Sequence, residues 1–288
     1  MLRNAFAYIT RKWPKSLLLF AIILLMGTLS LIGLSMKGAT QKASSESLGS
    51  ITNSFSMQIN RRTNPGTPRG AGNLRGEDIE KISQVEGITS SIKRINAIAD
   101  ILDHEIIETE ETLQNQSPER AKHFKNTLMV TGVNDSSKED KFVSGAYKLV
   151  QGEHLTDKDK NQILMHEDLA KKNGLKVGDK VRLKSNLYDA DNEKGANETV
   201  EVTIKGLFSG KNQAPLTYAQ ELYEDTLISD LDTAAKLYGN TVQTATYEDA
   251  TFFAKGDQDL DKLIEKIKAL DIPWNYYDLV KSSSNYPA

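Results

Sequence analysis

The side chains best suited to acid–base or metal chemistry in this chain are four histidines and 39 carboxylates. His104, His123, His154 and His166 stand at least 12 residues apart, so no pair has the spacing of two ligands on one helix turn. His166-Glu167-Asp168 sets an imidazole beside two acids. Acids in the first turn of a helix have an ordinary role against its dipole, and no metal is expected there. Asp189-Ala190-Asp191-Asn192-Glu193 begins like an EF-hand loop, with oxygen ligands at alternate positions. Lys194 then stands where that loop needs Gly, and Val200 where it needs Glu, so an acidic hairpin tip is expected instead. The absence of cysteine excludes a thiol nucleophile, cysteine-ligated zinc and disulfides.

Other chemistry is equally thin. There is no phosphate-cradling G-x-x-x-x-G-K-[ST] loop, no G-x-S-x-G elbow and no H-E-x-x-H helix. Gly70-Ala71-Gly72 lacks the third glycine and the strand–turn–helix setting of a dinucleotide site. Carboxylate pairs for glycoside hydrolysis are defined by separation in space, so a surface hydrolase stays open as a minor reading. The residues otherwise call for no enzyme: no catalytic residue, no cofactor bound by this chain and no metal.

The elements around these residues divide the chain by charge. Residues 1–42 hold six bases and no acid, while the remainder holds 30 bases against 39 acids. An acidic body of that kind has no means of neutralising phosphates, which excludes nucleic acid. Residues 16–36 form an uncharged, mostly apolar run of 21, enough to cross a bilayer as a helix. Arg3, Arg11, Lys12 and Lys15 precede it and place the N-terminus in the cytoplasm, with everything after about residue 38 outside. The run is too long for a signal peptide, and residues 37–43 after it offer no good A-x-A cleavage site. Leu2, Phe6, Ile9 and Trp13 make an apolar stripe suited to the inner lipid headgroups. Gly27, Ser30 and Gly33 are the candidates for close approach of another helix.

Beyond a polar stalk, the patterning predicts a strand at 55–60 and a breaker-rich loop holding Arg61, Arg62, Arg69 and Arg75. A helix with Ile79, Ile82 and Val85 on one face follows, stopped by Gly87, then an extended stretch over 90–102. An acidic helix through Glu105, Glu108, Glu110 and Glu111 comes next, and a strand over 127–133. The middle reads as β-rich, with strands at 162–165, 180–185 and 199–205 and a short helix over 166–173 closed by Gly174. Strands at 226–229 and 250–254, a helix over 257–270 striped by Leu260, Leu263, Ile264, Ile267 and Leu270, and a final strand at 274–280 complete the reading.

One stretch carries a resemblance. From Ile163, ILMHEDLAKKNGLKVGDKVRLKS and then ETVEVTIKGLF resemble the extracytoplasmic core of MacB-type and FtsX-like ABC transporter permeases. The pattern rests on Leu169, Ala170, Lys172, Gly174, Leu175, Val177, Gly178, Asp179, Val202, Gly206 and Phe208. Upstream, Val130-Thr131-Gly132-Val133 and Leu149-Val150-Gln151-Gly152-Glu153-His154-Leu155 are similar to two further family segments, and the N-terminus looks like the Vex-type permeases of streptococci.

The resemblance implies an α+β chain: one transmembrane helix, then a two-lobed ectodomain with a split α/β porter lobe and an inserted β-rich sabre lobe. The expected divisions are 1–42 for the anchor, 43–140 and 223–282 for the porter halves, 141–222 for the insertion and 283–288 for a tail leading to further spans. Gly174, Val177, Gly178, Asp179 and Gly206 are its structural motif residues. It also implies a cytoplasmic ABC ATPase as partner, with ATP bound by that separate subunit, a second permease copy or paralogue, and contact with membrane lipid. Family members continue into three more spans, so this chain is expected to be the N-terminal portion of a permease for a peptide, drug or lipid-like substrate. The rival reading is a membrane-anchored binding or sensing module without ATPase coupling.

Overall fold

The longest alternating apolar segment, 88–101, becomes the strand that organises the domain. A computed structural model describes residues 53–68 and 72–282, which fall in the second of two units, Asn53–Ala288. The run at 16–36, with Gly27, Ser30 and Gly33, and the tail from 283 lie outside the described residues. Among the described residues no helix is long and apolar enough to cross a membrane.

The strands are β1 (Ser54–Ile59), β2 (Leu74–Arg75), β3 (Ile88–Ile101), β4 (Thr127–Val133), β5 (Lys148–Gly152), β6 (Gln162–His166), β7 (Lys180–Ser185), β8 (Thr199–Ser209), β9 (Thr226–Asp230), β10 (Thr246–Tyr247), β11 (Asp249–Ala254) and β12 (Tyr277–Lys281). The helices are α1 (Gly76–Ser83), α2 (Glu110–Gln114), α3 (Pro118–His123), α4 (Asp140–Val143), α5 (Glu167–Lys172), α6 (Leu231–Lys236) and α7 (Leu260–Lys268). The architecture is mixed α/β, and ten strands join one sheet in the order β12-β1-β11-β3-β4-β9-β6-β8-β5, with β7 pairing both β3 and β8.

That double pairing has a consequence for shape. β3 pairs β11 through its first half, β4 through its second, and β7 at Ala99–Ile101. The pairings β3-β4-β9-β6-β8-β7 therefore close on themselves. A closed circuit removes the unpaired edges that would otherwise invite association. The circuit draws strands from all three of the segments 43–140, 141–222 and 223–282. Segment 141–222 thus forms no sheet of its own: β6 pairs β9, and β7 pairs β3.

Ile95, Ala97, Ala99 and Ile101 of β3 point into the main core with Leu128, Val130, Ile163, Met165, Leu183 and Ile204. Leu164, Phe208 and Ile228 face the other way and pack with Tyr147 in a smaller aromatic cluster. The α7 stripe behaves as its spacing requires: Leu263 and Ile267 are buried and Leu260, Ile264 and Leu270 pack against the core. Asp259 caps α7 by accepting from the amides of Asp261 and Lys262.

One expectation is corrected. The acidic run is helical only from Glu110; residues 102–109 are irregular because their backbone groups bond to side chains elsewhere, as detailed below. The motif segment 149–155, for which no element was expected, begins within a strand, β5. Loop 186–198 is the expected tip joining the antiparallel pair β7 and β8. Asn192 Nδ2 donates to the carbonyls of Asn186 and Ala196, Tyr238 donates its hydroxyl to Asp189, and Asp189 and Asn192 are buried. Its polar residues close the loop on itself.

Candidate functional site

Four of the five motif residues, Gly174, Val177, Gly178 and Asp179, follow the end of α5. Gly174 takes φ +64° just past the helix. The amide of Leu175 reaches the carbonyl of Ala170 (2.9 Å), and that of Gly174 reaches Lys171 (3.3 Å). This crossed pair is a Schellman cap, which needs a left-handed residue between the two donors. Four residues on, Gly178 takes φ +94° inside a turn closed by Asp179 N–H to the Lys176 carbonyl (3.1 Å). Asp179 returns a carboxylate oxygen to the Lys176 amide (2.9 Å). Gly178 N–H donates to the Ile204 carbonyl (2.8 Å), which pins the turn to β8, and Val177 packs against the main core. Open space surrounds the position of a Cβ on Gly174, so Gly174→Ala is expected to cost about 1 kcal/mol, the left-handed penalty alone. Urea unfolding would measure it.

Gly206 lies at a different kind of contact. It faces Gly152 of β5 on one side and Leu164 of β6 on the other, and both pairings shift register at this level. A Cβ on Gly206 would come within 2.9 Å of the Gln151 carbonyl and 3.1 Å of that of Glu153. The motif residues are thus a mechanical set: a helix stop, a turn and a close crossing of strands.

The titratable groups are placed apart from them. His166 is buried, and its Nε2–H donates to the Gly210 carbonyl (2.8 Å). Its Nδ1 accepts from the Asp168 amide (3.1 Å), capping α5. His166, Asp168 and Glu224 do offer ligand atoms within 4.8 Å of one another. With both ring nitrogens committed, a cation there would have to displace the helix cap. Ser136 and His154, which no sequence signal joined, meet at 2.8 Å. Ser136 is fully buried and its Oγ also accepts from the Leu155 amide (2.9 Å), so the hydroxyl has no path to a substrate. Burial pushes the His154 imidazole below its usual range, against the opposing pull of Asp135. Among the described residues, two surface clefts, ≈ 230 Å³ beside Asn96 and Tyr238 and ≈ 470 Å³ beside Lys93 and Asn134, contain none of these groups.

Two buried carboxylates were invisible in the sequence. Asp78 accepts from Arg75 Nε (2.8 Å) and from the Tyr277 hydroxyl (2.9 Å), tying α1 to β12. Asp225 is fully buried ahead of β9. Asp78 has Arg75 three residues before it, but Tyr277 is 199 positions away, and Asp225 accepts from the backbone amide of Ile107, 118 positions away.

The family model of the MacB-like periplasmic core domain matches residues 16–270. The chain belongs to that family. Among relatives of the MacB-like core domain in this chain is YclI, an uncharacterised ABC transporter permease of Bacillus subtilis (strain 168). It is 23% identical over 313 residues, with 99% of this chain and 63% of that protein covered. The chain therefore spans less than two thirds of that permease's length. Solved structures similar to it include the periplasmic region of MacB from Actinobacillus actinomycetemcomitans, at 15% identity and TM-score 0.42, covering 81% of this chain and 90% of that one. Another is the extracellular domain of the noncanonic ABC-type transporter YknZ from Gram-positive bacteria, at 11% identity and TM-score 0.40, covering 79% and 100%.

Proposed function

We propose that the chain is the N-terminal portion of a MacB-type ABC transporter permease, whose extracytoplasmic domain is moved by a separate ATPase. The observation that carries this reading is where the chain enters and leaves the domain. β1 and β12 pair side by side, with Phe55 opposite Lys281. The Ser54 hydroxyl donates to that of Ser282 (2.8 Å), and the Ser282 amide donates to the Ser54 carbonyl (3.0 Å). Both connections thus leave from one point, so displacement of the segments attached there would be delivered to one edge of the sheet.

In this reading residues 16–36 are the cytoplasm-to-outside anchor, and Gly27, Ser30 and Gly33 lie against a neighbouring helix. A second permease copy or paralogue completes a dimer, basic residues before the anchor meet lipid headgroups, and the extracytoplasmic domain is the moving part. The chain is not itself an enzyme and binds no cofactor. The cargo is a peptide, drug or lipid-like molecule.

These 288 residues hold no cysteine, so a cysteine introduced among them is the one labelling site in this part of the protein. Leu187→Cys, at an exposed position, would carry a spin label in the native full-length protein reconstituted with its ATPase. The label-to-label distance between two copies is expected to shift when ATP is added. An identical distance distribution with and without ATP would favour the anchored binding module.

A further inference from the structure

The acidic segment 102–109 is held by borrowed hydrogen bonds. The Glu105 amide donates to Asn173 Oδ1 (2.9 Å), and Asn173 Nδ2 returns to the Glu105 carbonyl (2.8 Å). Lys172 Nζ donates to the Ile106 carbonyl (2.8 Å). The Ile107 amide donates to Asp225 Oδ1 (2.7 Å). Ile106, at the centre of the segment, is buried in the main core.

Asp225 is the unusual partner. It is 0% exposed, and its second oxygen, Oδ2, meets no hydrogen-bond partner among the described residues. A buried carboxylate with an orphaned oxygen is costly, whereas a carboxylic acid carries its proton on that oxygen and keeps the other free to accept. The surroundings favour the acid form. Glu224 lies beside it with a buried and unpartnered Oε2, and Glu108 comes from the segment itself. His166 and Asp168 at the start of α5 approach Glu224, and Glu221 of the preceding turn accepts from the amides of Thr217 and Tyr218. Lys172 is the nearby cation, and it already serves the Ile106 carbonyl and Glu105 (3.5 Å).

We propose that residues 102–109 form a proton-controlled latch, which closes on the protonated Asp225 carboxyl and gives up that proton to water when it opens. Burial, ahead of the charges of Glu224 and Glu108, pushes the Asp225 carboxyl up to about 8, against the pull of the Ile107 amide. The closed state therefore binds one proton more than the open state between the ordinary carboxylate range and about pH 8. Closure is strongest in acid, weakens as pH rises through that window and levels off above it. An extracytoplasmic domain built this way would tighten when its surroundings acidify.

Hydrogen exchange on the 288-residue chain tests this at the Ile107 amide, corrected for the intrinsic base-catalysed rate. Protection is expected to fall up to about tenfold per pH unit between about pH 5 and about pH 8 and then to level. Asp225→Asn, which keeps an acceptor for Ile107 and stays neutral, should flatten the profile. Glu224→Gln should move the levelling point to lower pH by removing one repelling charge. The Val130 amide in β4 reports the core and should show no such slope. A flat wild-type profile, or a slope that survives Asp225→Asn, overturns the latch. Neither result depends on an ATPase or a transported substrate.

Discussion

Gly152→Ala is expected to lower the unfolding free energy by about 3–5 kcal/mol, the sum of a left-handed penalty and overpacking against rigid backbone. Gly152 has φ +78°, and a Cβ there would lie 2.2 Å from the Lys205 carbonyl oxygen and 2.7 Å from Gly206 Cα. Neither atom is the tip of a flexible side chain. Lys205 is held in place because its Nζ bonds both oxygens of the half-buried Asp159 (3.0 and 2.9 Å). Relief would require β5 to peel from β8, which exposes the aromatic cluster of Tyr147 and Phe208. Urea unfolding at neutral pH would show it, with Gly174→Ala as a control that has the same kind of φ but open space. Equal costs for the two variants would mean that the β5–β8 crossing is not close-packed.

Asp78→Ala is expected to cost about 3 kcal/mol, and Tyr277→Phe about 1–2 kcal/mol, with the double variant well short of the sum. Asp78 is fully buried and takes two hydrogen bonds on one oxygen, from Arg75 Nε and the Tyr277 hydroxyl. Arg75 is about half exposed and can return to water, so its loss is small. The Tyr277 hydroxyl belongs to a residue only 3% exposed and would be stranded. Its other contact is the Arg75 amide at 3.3 Å, where the hydroxyl oxygen accepts. The hydrogen bond to Asp78, ahead of the opposing effect of burial, holds the Arg75 guanidinium above its ordinary range. Burial, then the bond to Asp78, pushes the Tyr277 phenol up to about 12. Because this cluster ties α1 to β12, its loss should also loosen the strand by which the chain leaves the domain. Thermal unfolding of the three variants in one buffer gives the coupling; strict additivity would show that the two residues act independently.

The local elements were legible because they rest on short-range physics. The strands at 127–133 and 180–185 appear at the predicted residues: alternation of apolar side chains fixes the second and its buried face, while the first is a short apolar run buried on both faces. The α7 stripe and the Gly174 stop follow from helical spacing and from the left-handed residue a helix end requires. The motif at 163–208 likewise pointed to the family whose model matches residues 16–270.

What failed was set by partners far off in the chain. Residues 102–109 carry enough glutamate to read as helix, yet their amides and carbonyls go to Asp225, Asn173 and Lys172. No window along the chain contains that competition, because Ile107 and Asp225 are 118 positions apart. The Asp78–Tyr277 contact spans 199 positions. Closure of six strands into a circuit depends on β7 reaching β3 as well as β8. Alternation tells a strand which face to bury, and only the assembled sheet decides which neighbours its hydrogen bonds find.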